Sequence, residues 1–171
     1  MEIKMREKLT ENDVKKIQAE IEHRKLVVRK EAIEAVKEAR AQGDLSENFE
    51  YYAAKRDKNK NESRIRYLEK MIKNAEIVSD ESKADEVGLN NAVEILFVDD
   101  GTVEKYKLVT SVRGNSLNGF ISIESPLGKA ITGHEGGDVV TVKVNDTVNY
   151  DVEIKSIDKS QDDSEDSIRS Y

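Results

Sequence analysis

Two carboxylates three residues apart, Asp44 and Glu47, follow a glycine in the stretch Ala39-Arg40-Ala41-Gln42-Gly43-Asp44-Leu45-Ser46-Glu47-Asn48-Phe49-Glu50-Tyr51-Tyr52. Carboxylate oxygens suit a hard cation such as Mg²⁺. Two of them are too few for a tight metal site, so further ligands would have to come from a partner. A structural role fits the same residues. Asp-x-x-Glu ahead of a helix is close to a capping box, and Ser46 suits an N-cap with Glu47 favoured by the helix dipole. Local chemistry leaves both readings open.

The elements on either side must position this pair. Gly43 stands where a left-handed residue closes a helix, and a second helix begins almost at once. A turn that short implies antiparallel neighbours, with Asp44 and Glu47 at the tip of the hairpin. The first helix is expected from Thr10, a candidate N-cap, to Ala41, a run without Gly or Pro. Its stripe runs Val14, Gln18, Ile21, Lys25, Val28, Ala32, Ala35, Ala39, with Gln18 and Lys25 as polar exceptions and Ile17, Ile33 and Val36 widening it. Steps of three and four suit a two-helix coiled coil, and about 30 residues make a rod of roughly 45 Å. The second helix is expected over 46–74. Phe49, Tyr52, Ala53 and Ala54 open its apolar face and Ile65, Leu68, Ile72 and Ala75 close it, but Lys55 to Ser63 has no apolar residue. Lys55, Arg56, Lys58 and Lys60 lie in that gap, as a solvated face or as one that tracks a phosphate backbone.

Beyond a polar linker (79–91) the period changes from helix to strand. Val93, Ile95 and Phe97 alternate with Glu94, Leu96 and Val98, Asp99-Asp100-Gly101 signals a hairpin, and 102–109 makes its partner. Gly114-Asn115 marks a further turn and 120–123 a short strand. Ser125-Pro126 opens a brief helix. Gly136-Gly137-Asp138 turns into Val139–Val144, and 148–157 closes an antiparallel sheet. The acidic stretch 158–171 reads as a disordered tail. The expected class is α+β, with domains at 1–78 and 92–157.

The 171 residues carry a net charge of −7, with 37% hydrophobic and 37% charged residues. Residues 1–80 hold 19 Lys+Arg against 17 Asp+Glu, and 81–171 hold 9 against 18. The split favours two domains with different surfaces and argues against whole-chain binding to duplex nucleic acid. No Cys is present, which excludes thiolate sites, and His23 and His134 are isolated. Neither a nucleophile pattern nor a phosphate loop appears. No apolar run is long enough to span a membrane and the N-terminus is too charged for a secretory signal, so a cytoplasmic protein is expected.

Glu38-Ala39-Arg40, Gly43-Asp44-Leu45-Ser46-Glu47-Asn48, Glu50-Tyr51 and Ala53-Ala54-Lys55 closely resemble the signature of the Gre transcript-cleavage factors, GreA type, and Arg64-Ile65 and Asn74-Ala75 continue the match. Ser125-Pro126-Leu127-Gly128-Lys129-Ala130, Gly133 and Gly137-Asp138 independently resemble the family's C-terminal domain. The resemblance implies an antiparallel coiled-coil hairpin followed by a small FKBP-like sheet domain with one short helix. It implies a monomer that binds the bacterial RNA polymerase elongation complex through the second domain and inserts the hairpin in the secondary channel. Asp44 and Glu47 match the two catalytic acids, which help the polymerase hold a second Mg²⁺ while it cuts backtracked RNA. The chain would need no cofactor of its own and would not itself be a nuclease. Gly43, Ser46, Asn48 and Tyr51 would support the tip, and Tyr51 and the Lys55–Lys60 stretch would contact the RNA 3′ end or the channel wall. Lys30 departs from the family's usual Pro, Arg56 to Lys60 departs from its usual segment, and Ser63 replaces a common Gly, which predicts a lost apolar contact in the hairpin. The rival reading is a paralogue that occupies the same channel and modulates the polymerase without stimulating cleavage. A prolyl isomerase fits less well, because the second domain is poor in aromatics.

Overall fold

The structure, a computed structural model, describes residues 6–43, 48–113, 119–164 and 166–170. These fall into two compact units, one built on Val14–Ala75 and the other on Glu7–Asp13 with Glu76–Tyr171.

The first unit is the expected helical hairpin. Helix α1 (Glu11–His23) enters it and runs through a π-turn (Arg24–Val28) into α2 (Arg29–Ala41), and α3 (Phe49–Lys73) returns beside them. His23, Val28 and Arg29 all keep right-handed helical backbone angles, so α1, the π-turn and α2 form one unbroken helix. Partner residues run in opposite senses, Arg40 with Tyr51, Arg29 with Glu62 and Glu20 with Arg64, so the two arms are antiparallel. Ile17, Ala39, Ile65, Leu68 and Met71 are buried. The seam departs from the expected stripe. Gln18, Lys25 and Ala35 are exposed, while Ile17, Arg24 and Val36 take the inward places. The inward steps 24, 28, 32, 36 repeat four at a time, longer than the 3.6 residues of an α-turn. The wider π-turn takes up the surplus.

The second unit carries a five-stranded sheet of order β5-β4-β3-β7-β6, made from β3 (Ala92–Phe97), β4 (Val103–Val109), β5 (Phe120–Ser122), β6 (Val139–Lys143) and β7 (Asn149–Asp158). The β3–β4, β3–β7 and β6–β7 pairs are antiparallel, but β4 and β5 run parallel, so the sheet is mixed rather than antiparallel. The chain reaches β5 by a crossover, which a hairpin turn cannot make. Val93 and Ile95 of β3, Leu108, Val142, Val152 and Ile154 form the core, closed by Leu127 and Ile131 of the short helix α4 (Pro126–Ile131). Gly101 takes φ +73° at the β3–β4 turn, where Asp100 Oδ1 accepts from Thr102 N at 2.9 Å. The expected turn at Gly114-Asn115 lies outside the described residues.

Three expectations for this unit change. Stretch 79–91 is no simple linker, because Val87 and Leu89 are buried and Val87 sits in the core. Residues 1–9, which read in the sequence as a loose lead-in to the first helix, include β1 (Lys8–Leu9), which pairs in parallel with β2 (Glu76–Ile77). The acidic tail is partly packed, with Asp163 and Asp166 buried and Arg169 N donating to Val112 O at 2.7 Å. Buried cationic partners hold these acids, which composition alone does not disclose.

Candidate functional site

Asp44, Ser46 and Glu47 lie outside the described residues, but the two chain ends that carry them are defined. At the end of α2, Gln42 N donates to Ala39 O, and Gly43 follows at φ +145°, where an added β-carbon would meet none of the described residues within 4 Å. That backbone region favours glycine. At the start of α3 the N-cap is Asn48 rather than Ser46, with Asn48 Oδ1 accepting from Tyr51 N at 3.0 Å. The same side chain donates through Nδ2 to Ala39 O at 2.5 Å. One amide therefore caps one helix and ties it to the end of the other, a double role that needs a donor and an acceptor on one short side chain.

Tyr51 braces the same region. Arg40 Nη2 donates to Tyr51 Oη at 3.3 Å, and the guanidinium carbon lies 5.4 Å from the ring centroid. That hydrogen bond, with Lys55 and Lys58 nearby, holds the phenol below its ordinary range. Phe49 and Tyr52 are exposed, as are Lys55, Arg56 and Lys60, while Lys58 is half-buried. The structure thus gathers aromatic and basic side chains on the first turns of α3. Among the described residues no group of three or more His, Cys, Asp or Glu side chains could hold a metal ion.

The polar middle of α3 is held by pairing rather than by apolar packing. Arg29 grips Glu62 with two hydrogen bonds of 2.7 and 2.9 Å. Glu20 accepts from Arg24 and Arg64, each at 2.8 Å. Partial burial pushes the Glu20 carboxyl up, and the Arg64 and Arg24 hydrogen bonds outweigh it and hold it below the usual carboxylate range. Asn61 is buried and bonds Arg24 through both its amide atoms. The apolar gap at Lys55 to Ser63 signals that something else fills the seam, but its partners are visible only once the arms are paired.

Two family models match the chain. "Transcription elongation factor, N-terminal" covers residues 7–77, and "Transcription elongation factor, GreA/GreB, C-term" covers 81–159. The chain belongs to the GreA/GreB family of transcription elongation factors. Its relatives include the protein named transcription elongation factor GreA in Lachnoclostridium phytofermentans, 44% identical over 80% of this chain and 86% of that protein. The GreA of Streptococcus gordonii is 40% identical over 90% of this chain and 96% of its own length. A solved structure of GreA factor homolog 1 from Thermus thermophilus is 26% identical, covering 90% of this chain and 99% of that one at a TM-score of 0.42. No helix among the described residues is long and apolar enough to cross a membrane.

The second family motif is architectural in this structure. Ser125 caps α4, its Oγ accepting from Gly128 N at 3.1 Å, with Pro126 in the first turn. A β-carbon on Gly128 would stand 2.0 Å from Ser122 O, so only glycine lets α4 lie this close to the end of β5. Ala130 packs against the core, Gly133 N donates to Val87 O at 2.9 Å, and Gly137 N donates to Ile154 O at 2.6 Å. Asp138 Oδ2 accepts from Glu135 N at 2.9 Å and lies 3.4 Å from His134 Nδ1.

A cluster that the sequence did not disclose lies in the same unit. Arg113 is buried, and its Nε pairs with Asp13 Oδ1 at 2.7 Å. Its Nη1 donates to Asn90 Oδ1 at 2.6 Å and to Asp166 Oδ2 at 3.1 Å. Lys107 Nζ also reaches Asp166, at 3.0 Å. Asp13 in turn forms a reciprocal cap with Thr10, both bonds at 3.1 Å. Asn90 takes φ +70°, a left-handed backbone that asparagine tolerates better than most side chains. A hundred residues separate Asp13 from Arg113, so no local pattern could announce the pair.

Proposed function

We propose that this chain binds the bacterial RNA polymerase elongation complex, presents its hairpin to the polymerase active site through the secondary channel, and stimulates cleavage of backtracked RNA without being a nuclease itself. Family membership over both halves supports the partner and the process. The observation that carries the mechanism is the Asn48 bridge, which ties the ends of α2 and α3 and so fixes the two points from which the Asp44–Glu47 segment departs.

Asp44 and Glu47 add carboxylate oxygens to an ion that the polymerase holds weakly. In two-metal phosphodiester chemistry one Mg²⁺ activates the attacking water and the other stabilises the leaving oxygen. This chain's part is to deliver and orient negative charge. Lys55, Arg56 and Lys60 lie exposed on the following turns of α3, where a phosphate backbone at the hairpin end would meet positive charge. Arg40 and its hydrogen bond hold the Tyr51 ring beside them.

The test is a purified bacterial elongation complex, stalled and backtracked, incubated in Mg²⁺ with and without the chain. Faster release of short 3′ RNA fragments supports the proposal. Binding with unchanged or slower cleavage overturns it and supports a channel-occupying modulator.

A further inference from the structure

We propose that Asn61 is a positioning residue for transcript cleavage: from α3 it latches the π-turn of the opposite arm and so fixes the rotation of α2, whose end carries the acidic segment. This rests on the cleavage reading above.

The latch is built from atoms at close range. In the π-turn, Arg29 N reaches back five residues to Arg24 O. Asn61 is buried, with 4% of its surface exposed. Its Nδ2 donates to that same Arg24 carbonyl at 3.2 Å, and its Oδ1 accepts from Arg24 Nη1 at 3.0 Å. A single amide thus engages both the main chain and the side chain of the residue that opens the π-turn. No aliphatic side chain can do this, and neither a carboxylate nor an ammonium offers both functions. Glu20 extends the grip, accepting from Arg24 and from Arg64, one turn beyond Asn61 on α3.

A π-turn is rare and usually confined to one turn, because it widens the helix to admit one extra residue. In an α-helix one residue is worth about 100° of rotation and 1.5 Å of rise. Where the surplus residue is absorbed therefore decides which face α2 shows to α3. With the surplus taken up at Arg24–Val28, Val36 and Ala39 face inward. Ala39 O is then available to Asn48 at the hairpin end. One buried polar residue that fixes register is an established device in paired helices, at some cost in stability. Nothing else at Lys55 to Ser63 is apolar enough to set that register by packing.

The experiment compares the full-length wild type with Asn61→Leu, a side chain of similar size without hydrogen-bonding atoms. Its readouts are cleavage by the stalled elongation complex over a range of factor concentrations and amide hydrogen exchange in the free protein. The expected result is an unchanged half-saturating concentration with a maximal rate about tenfold lower, within the roughly hundredfold that a 1 Å misplacement costs. Amides 24–29 should exchange faster while the sheet unit keeps its protection. Deleting Leu26 in the Asn61→Leu background turns the π-turn into an ordinary turn while keeping α2 in phase, and should restore the maximal rate. Asn61→Asp keeps an acceptor for the Arg24 guanidinium but loses the donor to its carbonyl, and should fall between. Asn61→Leu with a wild-type maximal rate overturns the positioning role, and unchanged exchange at 24–29 overturns the latch. A wild-type chain that leaves cleavage unchanged overturns the cleavage reading and the positioning role together, and the exchange result then decides the latch alone.

Discussion

In the hairpin, Glu20, Arg24, Arg29 and Glu62 keep 26 to 35% of their side chains exposed, whereas Arg113 and Asp13 in the sheet unit keep none. Both regions join distant segments with charge, and the difference in solvent changes what the charge does. Half-exposed pairs contribute little to stability and are screened by salt. They suit a rod that lacks a continuous apolar seam and needs register more than strength. Charges removed from water have already incurred a large desolvation cost, so each depends on its partners. In the sheet unit those partners come from the first turn of α1, the turn after β4 and the tail, three segments that contribute little to its apolar core.

The sharpest way to break this contrast is Asp13→Ala. It leaves the buried Arg113 without its closest carboxylate, and about 3–5 kcal/mol should be lost from the sheet unit in urea unfolding. A loss no larger than a surface pair gives would mean that water reaches the cluster. Gly128→Ala comes next, because the added carbon meets the Ser122 carbonyl at 2.0 Å and the main chain must move. Overpacking of this kind costs about 1–3 kcal/mol, and it should appear in the melting of the sheet unit with the hairpin's helical signal unchanged.

Asn48→Ala should cost about 1 kcal/mol in the hairpin, as for the loss of an N-cap, while Asn48→Asp keeps the cap and loses only the bond to Ala39. An Asn48→Asp variant as stable as wild type would show that the bridge between the arms contributes nothing beyond the cap. The smallest effect is that of pH on Glu20. Its folded pKa lies below the usual carboxylate range, so its contribution is fully present at neutral pH and is lost as pH falls through the depressed pKa. Glu20→Gln should flatten the acid side of the hairpin's stability curve, and an unchanged slope would remove Glu20 from the account.

These differences also explain what the sequence discloses. Strands β3, β4, β6 and β7, helix α4 with its Ser125 cap, and the Gly101 turn were legible because alternation and turn chemistry are local. The hairpin was legible for the same reason, from a glycine between two long helical segments. The π-turn was not, because its surplus residue is fixed by Asn61 from the opposite arm. The Arg113 cluster was hidden by separation in the chain, and the packed tail by its dependence on that cluster. Core membership of Val87 was masked by the polar residues around it. At the hairpin end, the family resemblance implied Gly43, Ser46, Asn48 and Tyr51 as tip supports, but nothing in the sequence implied that Asn48 would bond to both arms at once.

The most direct measurement is cleavage by a stalled, backtracked elongation complex with wild-type chain and with the Asp44→Ala/Glu47→Ala double variant, with polymerase binding measured in the same reactions. The double variant is expected to bind as tightly as wild type and to release no more 3′ fragment than the polymerase alone. A double variant that binds and stimulates cleavage like wild type would contradict the role of Asp44 and Glu47 in cleavage.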